Sequence, residues 1–410
     1  MPVTTPFRDT NYETQQSPLY YWTAGLLLRL APHRSPLEEL YMLRFINAAL
    51  AFSVGLLIWK VVRPAQLAWV PVALLALIPG FGIAMCRVAN DALCTVLISV
   101  AVAGALSVGS GMRLATAGSL AAGIAPWAKL YGLAVVPITA VRESLRRGTR
   151  IGTRLLRLIL VLSPQVVLTF CSLKLLGHPF PVMYNIRHAP LVPLTSVPWL
   201  QDAWAVAKSH IWMSGMSFLV FPTWIYVVPV LLFGWGLFLT LSLISAPDRK
   251  DRKDLAVLVG SVAVFVIALA YHDWRAFSFY GGPGGTGGWY LWAVALPEML
   301  LLTYGARKKG MIRQWILPVL AVFALLTIMA DVALVLDSTG LLVRTSRNHI
   351  AGVTSASLSR IVSGYLASRP RPVAIAAAIS AISSWLLAAL LLVTGTRLGT
   401  HDLPDNTCRA

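Results

Sequence analysis

Apolar runs, too long and too frequent for a water-soluble core, constrain this chain more than any other feature. Stretches at 40–63, 66–86, 91–109, 155–175, 223–246, 255–272, 289–305, 314–336 and 372–394 are long enough, as helices, to cross a hydrocarbon layer of about 30 Å. Of 410 residues, 57% are hydrophobic and only 12% charged, about half the charged fraction of a soluble domain. One globular core cannot hide that much apolar surface, whereas a bilayer removes the need to hide it. The expected fold is an all-α, polytopic transmembrane bundle of about ten to eleven spans.

A net charge of +18 raises the question of nucleic acid, and the placement of the charge answers it. Arg142, Arg146, Arg147, Arg150, Arg154 and Arg157 fill one short loop between apolar runs. Arg249, Lys250, Arg252 and Lys253 fill a second, and Arg307, Lys308, Lys309 and Arg313 a third. That is the positive-inside pattern, so the expected partners are membrane lipids and not nucleic acid. The loops 142–157, 247–254 and 306–313 are expected in the cytoplasm. Cys86, Cys94, Cys171 and Cys408 lie in or beside apolar runs with no CxxC spacing. They read as small buried hydrophobes, and neither a metal nor a cofactor is expected.

The stretch 114–140 carries Pro126 and Lys129 near its middle. Proline frees backbone groups, and a lysine at mid-bilayer is costly unless it faces a polar cavity. Two short helices, about 114–126 and 131–141, are therefore expected to meet near Lys129, a break tolerated only where protein or water covers it. The organisation that follows has an outside juxtamembrane segment at 1–39 and a transmembrane core at 40–336 with outside loops 176–222 and 273–288. A basic interfacial segment at 337–371 precedes a last span at 372–394 and a tail at 395–410. The 176–222 loop carries Trp199, Trp204 and Trp212, suited to a membrane interface. The 273–288 loop ends in Gly-Gly-Pro-Gly-Gly-Thr-Gly-Gly, a permissive tract that reads as a mobile cover. His272 and Asp273 read as interface residues at a helix end.

Four short elements share a further character. Tyr12-Glu13 followed by Gln16-Ser17-Pro18-Leu19-Tyr20-Tyr21-Trp22 is the first. Arg87-Val88-Ala89-Asn90-Asp91-Ala92-Leu93 is the second, and Gly123 to Gly132, with Lys129-Leu130-Tyr131 inside it, the third. Gly288-Trp289-Tyr290-Leu291 through Pro297 is the fourth. In this order they resemble motifs of the GT-C superfamily of polytopic glycosyltransferases, which includes protein O-mannosyltransferases and lipid A aminoarabinose transferases. Two departures stand out. Trp289 occupies a place where the family commonly has arginine, and the family's usual first helix and acidic loop have no counterpart in these residues. The second departure carries the expectation that the 410-residue chain folds in membranes but transfers sugar poorly.

The resemblance implies a membrane enzyme that moves a sugar from a polyprenyl-phosphate carrier to an acceptor at the outer face of a bacterial cytoplasmic membrane. Such chemistry needs a base for the acceptor, cationic groups for the leaving phosphate and a groove for the lipid. Glu13 and Asp91 are the candidate catalytic carboxylates, set against plain readings as a surface acid and a helix cap paired with Arg87. Lys129 is the candidate phosphate contact, set against snorkelling to headgroups. Arg87, Asn90, Tyr20, Tyr21, Tyr290 and Glu298 complete the substrate-binding set. Glu298, read as about 14 Å into a helix at 1.5 Å per residue, is either functional or an interhelical tether. The alternative readings are a catalytically inactive relative that binds lipid-linked sugar or serves as a scaffold and, further off, a transporter.

Overall fold

The computed structural model describes residues 17–30, 35–62, 67–106, 112–146, 149–176, 190–212, 219–242, 249–281, 287–308, 312–345, 350–355 and 357–367, with scattered positions beyond. In chain order the helices are α1 Leu19–Leu30, α2 Pro36–Val61, α3 Trp69–Leu77, α4 Pro79–Met85, α5 Asp91–Ala105 and α6 Met112–Ala128. They continue as α7 Val135–Ser144, α8 Ile151–Leu176, α9 Trp199–Ile211, α10 Thr223–Leu241, α11 Arg249–Tyr280, α12 Ala295–Lys308, α13 Ile312–Ser338 and α14 Leu358–Ala367. Among the described residues, five helices are long and apolar enough to cross a membrane, within Pro36–Val61, Ile151–Lys174, Thr223–Leu241, Arg252–Tyr280 and Gln314–Asp337. The last expected span, 372–394, lies mostly outside the described residues, as do the tail and Glu13.

Local chemistry explains where the other elements begin and break. Helix α2 starts at Pro36, four residues ahead of the expected span. Ser35 and Glu38 form a reciprocal capping box, with Ser35 N–H donating to Glu38 Oε2 at 2.8 Å and Glu38 N–H to Ser35 Oγ at 3.3 Å; Pro36 sits at the first helical position. The run 66–86, read as one span, is two helices hinged at Ile78, which is extended at φ −81° and ψ 107°. Pro79 follows it, and the residue before a proline is pushed out of helical geometry. The run 289–305 likewise opens as a 3-10 turn over Gly288–Val294 before α12 begins. Helix α11 continues to Tyr280, so His272 and Asp273 lie inside a helix and not at its end. Among the described residues the all-helical expectation holds apart from one hairpin within 337–371, Leu342–Arg344 paired antiparallel with Ile350–Val353. Its register runs from Leu342 opposite Val353 to Arg344 opposite Ile350, with an irregularity between Val343 and Arg344.

The chain divides into two compact units. The first gathers 1–57, 85–206 and 249–297; the second gathers 58–84, 207–248 and 298–410. In the first, α5 and α6 pack most intimately, because Gly104 and Gly118 face each other. A Cβ on Gly104 would lie 2.8 Å from the Gly118 Cα. Small residues let helix backbones approach closely in apolar surroundings, where dispersion and not water exclusion drives association.

The arginine-rich end of this unit departs from expectation. Arg142, Arg146 and Arg157 are directed inward and not toward headgroups. Arg142 Nε donates to the Ala105 carbonyl at 2.8 Å and Arg146 Nη2 to the Gly104 carbonyl at 2.9 Å. These are carbonyls that the C-terminus of α5 leaves unsatisfied, at the negative end of its dipole. Arg157 donates to the Met112 carbonyl at 3.1 Å and pairs with Glu143 at 3.2 Å, and Arg146 pairs with Glu143 at 3.2 Å. Glu143 and Arg157 are buried, so three helix ends are tied by a network whose centre is shielded from water.

In the second unit, α13 is the central helix. Thr327 Oγ1 donates to the Leu77 carbonyl of α3 at 2.6 Å, Trp315 Nε1 donates to the Leu232 carbonyl of α10 at 3.1 Å, and Phe323 stacks on Phe233 at 5.0 Å. Thr240 of α10 donates to the Leu301 carbonyl and accepts from Gly305 N–H at 2.8 Å, joining α12 to the same layer.

Candidate functional site

The break expected near Lys129 is present, and it organises the first unit. Helix α6 ends at Ala128, Lys129 is extended at φ −157° and ψ 140°, and a 3-10 turn over Leu130–Ala134 leads into α7. The turn folds back on the end of α6. A side chain at Gly132 would meet the Pro126 nitrogen at 2.7 Å and the Ala125 carbonyl oxygen at 2.7 Å, so only glycine permits this approach. Cys94, buried one turn into α5, sits with Sγ 3.9 Å from the carbonyl oxygens of both Ala125 and Lys129. The start of α5 is thereby held against the break.

That packing brings Lys129 Nζ to 2.6 Å from Asp91 Oδ1, with 19% and 13% of the two side chains exposed. The Tyr131 hydroxyl donates to the same carboxylate oxygen. The ammonium also lies 4.9 Å from the Tyr131 ring centroid and 5.0 Å from that of Tyr290, cation–π distances for both. Tyr131 packs edge-on against Tyr290 at 5.8 Å and Phe265 at 5.4 Å. Asp91 is therefore no partner of Arg87, and Asn90 does not cap α5 with its side chain. Arg87 instead lies over Trp289 at 5.8 Å.

Tyr20 closes one side. Its hydroxyl accepts from Asn47 Nδ2 at 3.1 Å, and Asn47 also donates to the Arg87 carbonyl. Burial pushes the Tyr20 phenol above its ordinary value, the Asn47 hydrogen bond works against that, and the nearby Asp91 charge adds to it. Tyr21 packs edge to face with Tyr20 at 5.5 Å and is 36% exposed. One neighbourhood thus gathers Asp91, Lys129, Tyr290, Tyr20 and, through its backbone carbonyl and Trp289, Arg87. Tyr131, marked in the sequence only as part of the third motif, belongs to it, as does Asn47, which did not stand out at all. The signal for Asn47 was a lone amide in an otherwise apolar run, which in hydrocarbon must find partners. Among the described residues no group of three or more side chains is arranged to hold a metal ion.

The fold has a solved likeness. The structure is similar to the crystal structure of ArnT from Cupriavidus metallidurans bound to undecaprenyl phosphate, with a TM-score of 0.48 and 14% sequence identity over 93% of this chain. The chain spans 62% of the length of that protein. No family model and no curated protein matches the sequence.

Glu298 falls in the second unit and is committed locally. It lies in the first turn of α12, because the residues before Ala295 form the 3-10 turn, and not deep within a helix. Its Oε1 is 2.6 Å from Nε2 of His210 on α9, which realises the interhelical tether among the readings open to it.

A second carboxylate contact lies in the first unit, inside the expected 176–222 loop. Asp202 of α9 is hydrogen-bonded side chain to side chain with Asp273 of α11, and both are buried. The preceding residues dock on the same helix, with Trp274 Nε1 donating to the Val192 carbonyl at 2.9 Å and Val192 N–H to Ser278 Oγ at 3.2 Å. Burial, then the Asp273 charge, then the hydrogen bond raise Asp202 from 3.8 to about 6. A carboxyl raised on folding stabilises most below its ordinary value, and that contribution is lost as pH rises through the folded one. Protease cleavage within 192–202 is therefore expected to increase as pH rises through about 6. Asp202→Asn, which keeps a donor toward Asp273, should flatten that dependence; an unchanged pH profile in the variant would assign it elsewhere.

Proposed function

We propose that the chain is a multi-pass membrane glycosyltransferase of the GT-C type, which moves a sugar from a polyprenyl-phosphate-linked donor to an acceptor at the outer face of a bacterial cytoplasmic membrane. The observation that carries this reading is the Asp91–Lys129 pair at the helix break, walled by Tyr131 and Tyr290. Lysine in an apolar bundle is costly unless it has work or a partner there, and here it has both a counter-ion and partial access to the surroundings. The motif order supports the same reading from the sequence side. Where the family commonly places arginine, Trp289 is met by the Arg87 guanidinium, so a cation is still supplied at that position.

The chemistry divides among these residues. Lys129 and Arg87 bind phosphate oxygens and stabilise charge on the leaving group. Asp91 accepts the proton of the acceptor hydroxyl as its oxygen attacks the anomeric carbon. The bond from that carbon to the phosphate oxygen breaks, and polyprenyl phosphate departs with the electron pair. Tyr131 orients the carboxylate, and Tyr20, held by Asn47, shapes the acceptor side. The test is binding of a polyprenyl phosphate to purified protein. Lys129→Met is expected to weaken it by about tenfold to a hundredfold, the usual range for one charge-assisted contact to a phosphate. Equal affinity in the variant and the wild type would reduce Lys129 to a structural ion pair.

The orientation of the chain follows from the same charge asymmetry that places the basic loops inside. In a background without native cysteines, a membrane-impermeant maleimide added to intact cells should label Gln201→Cys and spare Arg150→Cys. Both positions are exposed. The reverse pattern would invert the map and move the site to the other face.

A further inference from the structure

We propose that Lys129 holds Asp91 out of reaction until the donor phosphate draws the lysine away, so that donor binding unmasks the acceptor base. This rests on the transferase reading and concerns how the same site is controlled. The geometry is asymmetric. Lys129 Nζ and the Tyr131 hydroxyl both engage Oδ1, while among the described residues no hydrogen bond reaches Oδ2. A carboxylate bonded to an ammonium at 2.6 Å has its charge directed into that charge-assisted hydrogen bond, among the strongest a carboxylate makes, and not toward an acceptor hydroxyl. With the lysine in place, Asp91 is positioned as a base and prevented from acting as one.

The lysine can leave without unfolding its surroundings. Its backbone is the extended residue between α6 and the 3-10 turn, and its ammonium also rests on the faces of Tyr131 and Tyr290. Cation–π contacts with rings are weaker than a hydrogen-bonded charge pair with a desolvated phosphate. The four-carbon stem is flexible, and the ammonium carries donors that rotate freely. Tyr131 does not need to move with it, so the hydroxyl keeps Oδ1 fixed while Oδ2 faces the acceptor. The order of events is donor in, Lys129 to phosphate, proton from the acceptor to Asp91, sugar to the acceptor oxygen. Polyprenyl phosphate then leaves, and the lysine returns to the carboxylate.

A hydrophobic carbodiimide, which reacts with protonated carboxyl groups, reads this state directly when labelling of the Asp91 peptide is followed by mass spectrometry. Asp91→Asn identifies the signal. In wild-type protein in nanodiscs, adding a polyprenyl phosphate should raise Asp91 labelling several-fold, whereas added phosphatidylglycerol should not. Lys129→Met should label strongly with or without the lipid, and Lys129→Arg, whose planar fork grips a carboxylate more rigidly, should respond less than wild type. Binding of the polyprenyl phosphate is followed in parallel by its shift of the melting temperature. Binding with unchanged or reduced labelling overturns the gating while leaving the transferase reading intact. An equal rise with phosphatidylglycerol also overturns it, because the response would then belong to any anionic lipid. No binding at all removes both.

Discussion

Asp91→Asn is expected to lower sugar transfer by about 10²–10⁴-fold, the usual contribution of a positioned general base, while polyprenyl phosphate binding is retained or tightened. The sign of the binding effect is the informative part. In the wild type, a phosphate has to compete with the Asp91 carboxylate for Lys129, which lies 2.6 Å away. An amide of the same shape still accepts from Tyr131 but no longer holds the ammonium by charge. The variant therefore separates two roles that a simple loss of activity would merge. If Asp91 were only a structural counter-ion, its removal would leave an unpaired cation in apolar surroundings, and binding and folding would fall together. Side-by-side measurement of lipid affinity and transfer rate decides between them.

Glu143→Leu is expected to cost the first unit about 3–5 kcal/mol, the range for removing one partner of a buried ion pair. Arg157 and Arg146 would both lose the same carboxylate, and their guanidiniums would remain pinned to the helix ends at Met112 and Gly104. Burial already pushes Arg146 below its ordinary value, Glu143 opposes that, and the Arg157 and Arg142 charges add to it. Without Glu143 the three cations lose the carboxylate they crowd around, while Asp254 lies 4.0 Å from Arg142. Thermal unfolding in detergent reads the loss. The double variant Glu143→Leu with Arg157→Met should recover most of it, because a buried pair replaced on both sides by apolar groups is close to neutral. Failure of the double variant to recover would show that the carbonyl contacts of Arg157 matter more than its charge.

Much of this could be read from residue order because the governing physics is local. The S-x-x-E box that starts α2 needs only four consecutive residues, Ser35 to Glu38. The break at Lys129 follows from Pro126 and a charge in the middle of one apolar stretch. The hinge at Ile78 carried an equally local signal in Pro79, but the apolar run hid it. Other features depend on distant partners. Nothing near Asp91 shows that its counter-ion lies 38 residues on and not four residues back at Arg87. That choice is made by the 3-10 turn and by the close approach of Gly132 to α6. Arginines in a short basic loop look alike in sequence, and only the position of the α5 and α6 ends turns Arg142, Arg146 and Arg157 inward. The hairpin within 337–371 has strands of three and four residues, too short for an alternating pattern to stand out from noise.

A transferase of this kind requires the Asp91–Lys129 site to break the bond between a sugar and a polyprenyl phosphate. The most direct measurement supplies purified protein in nanodiscs with polyprenyl-phosphate donors carrying a radiolabelled sugar, together with bacterial envelope lipids as acceptors. Release of polyprenyl phosphate and loss of label from the donor are then followed. Donor consumption by wild-type protein that falls by about 10²-fold or more in Asp91→Asn, with the donor still bound, is the expected result. Wild-type protein that binds the donor and leaves it intact would contradict transfer and leave a lipid-linked sugar binder in its place.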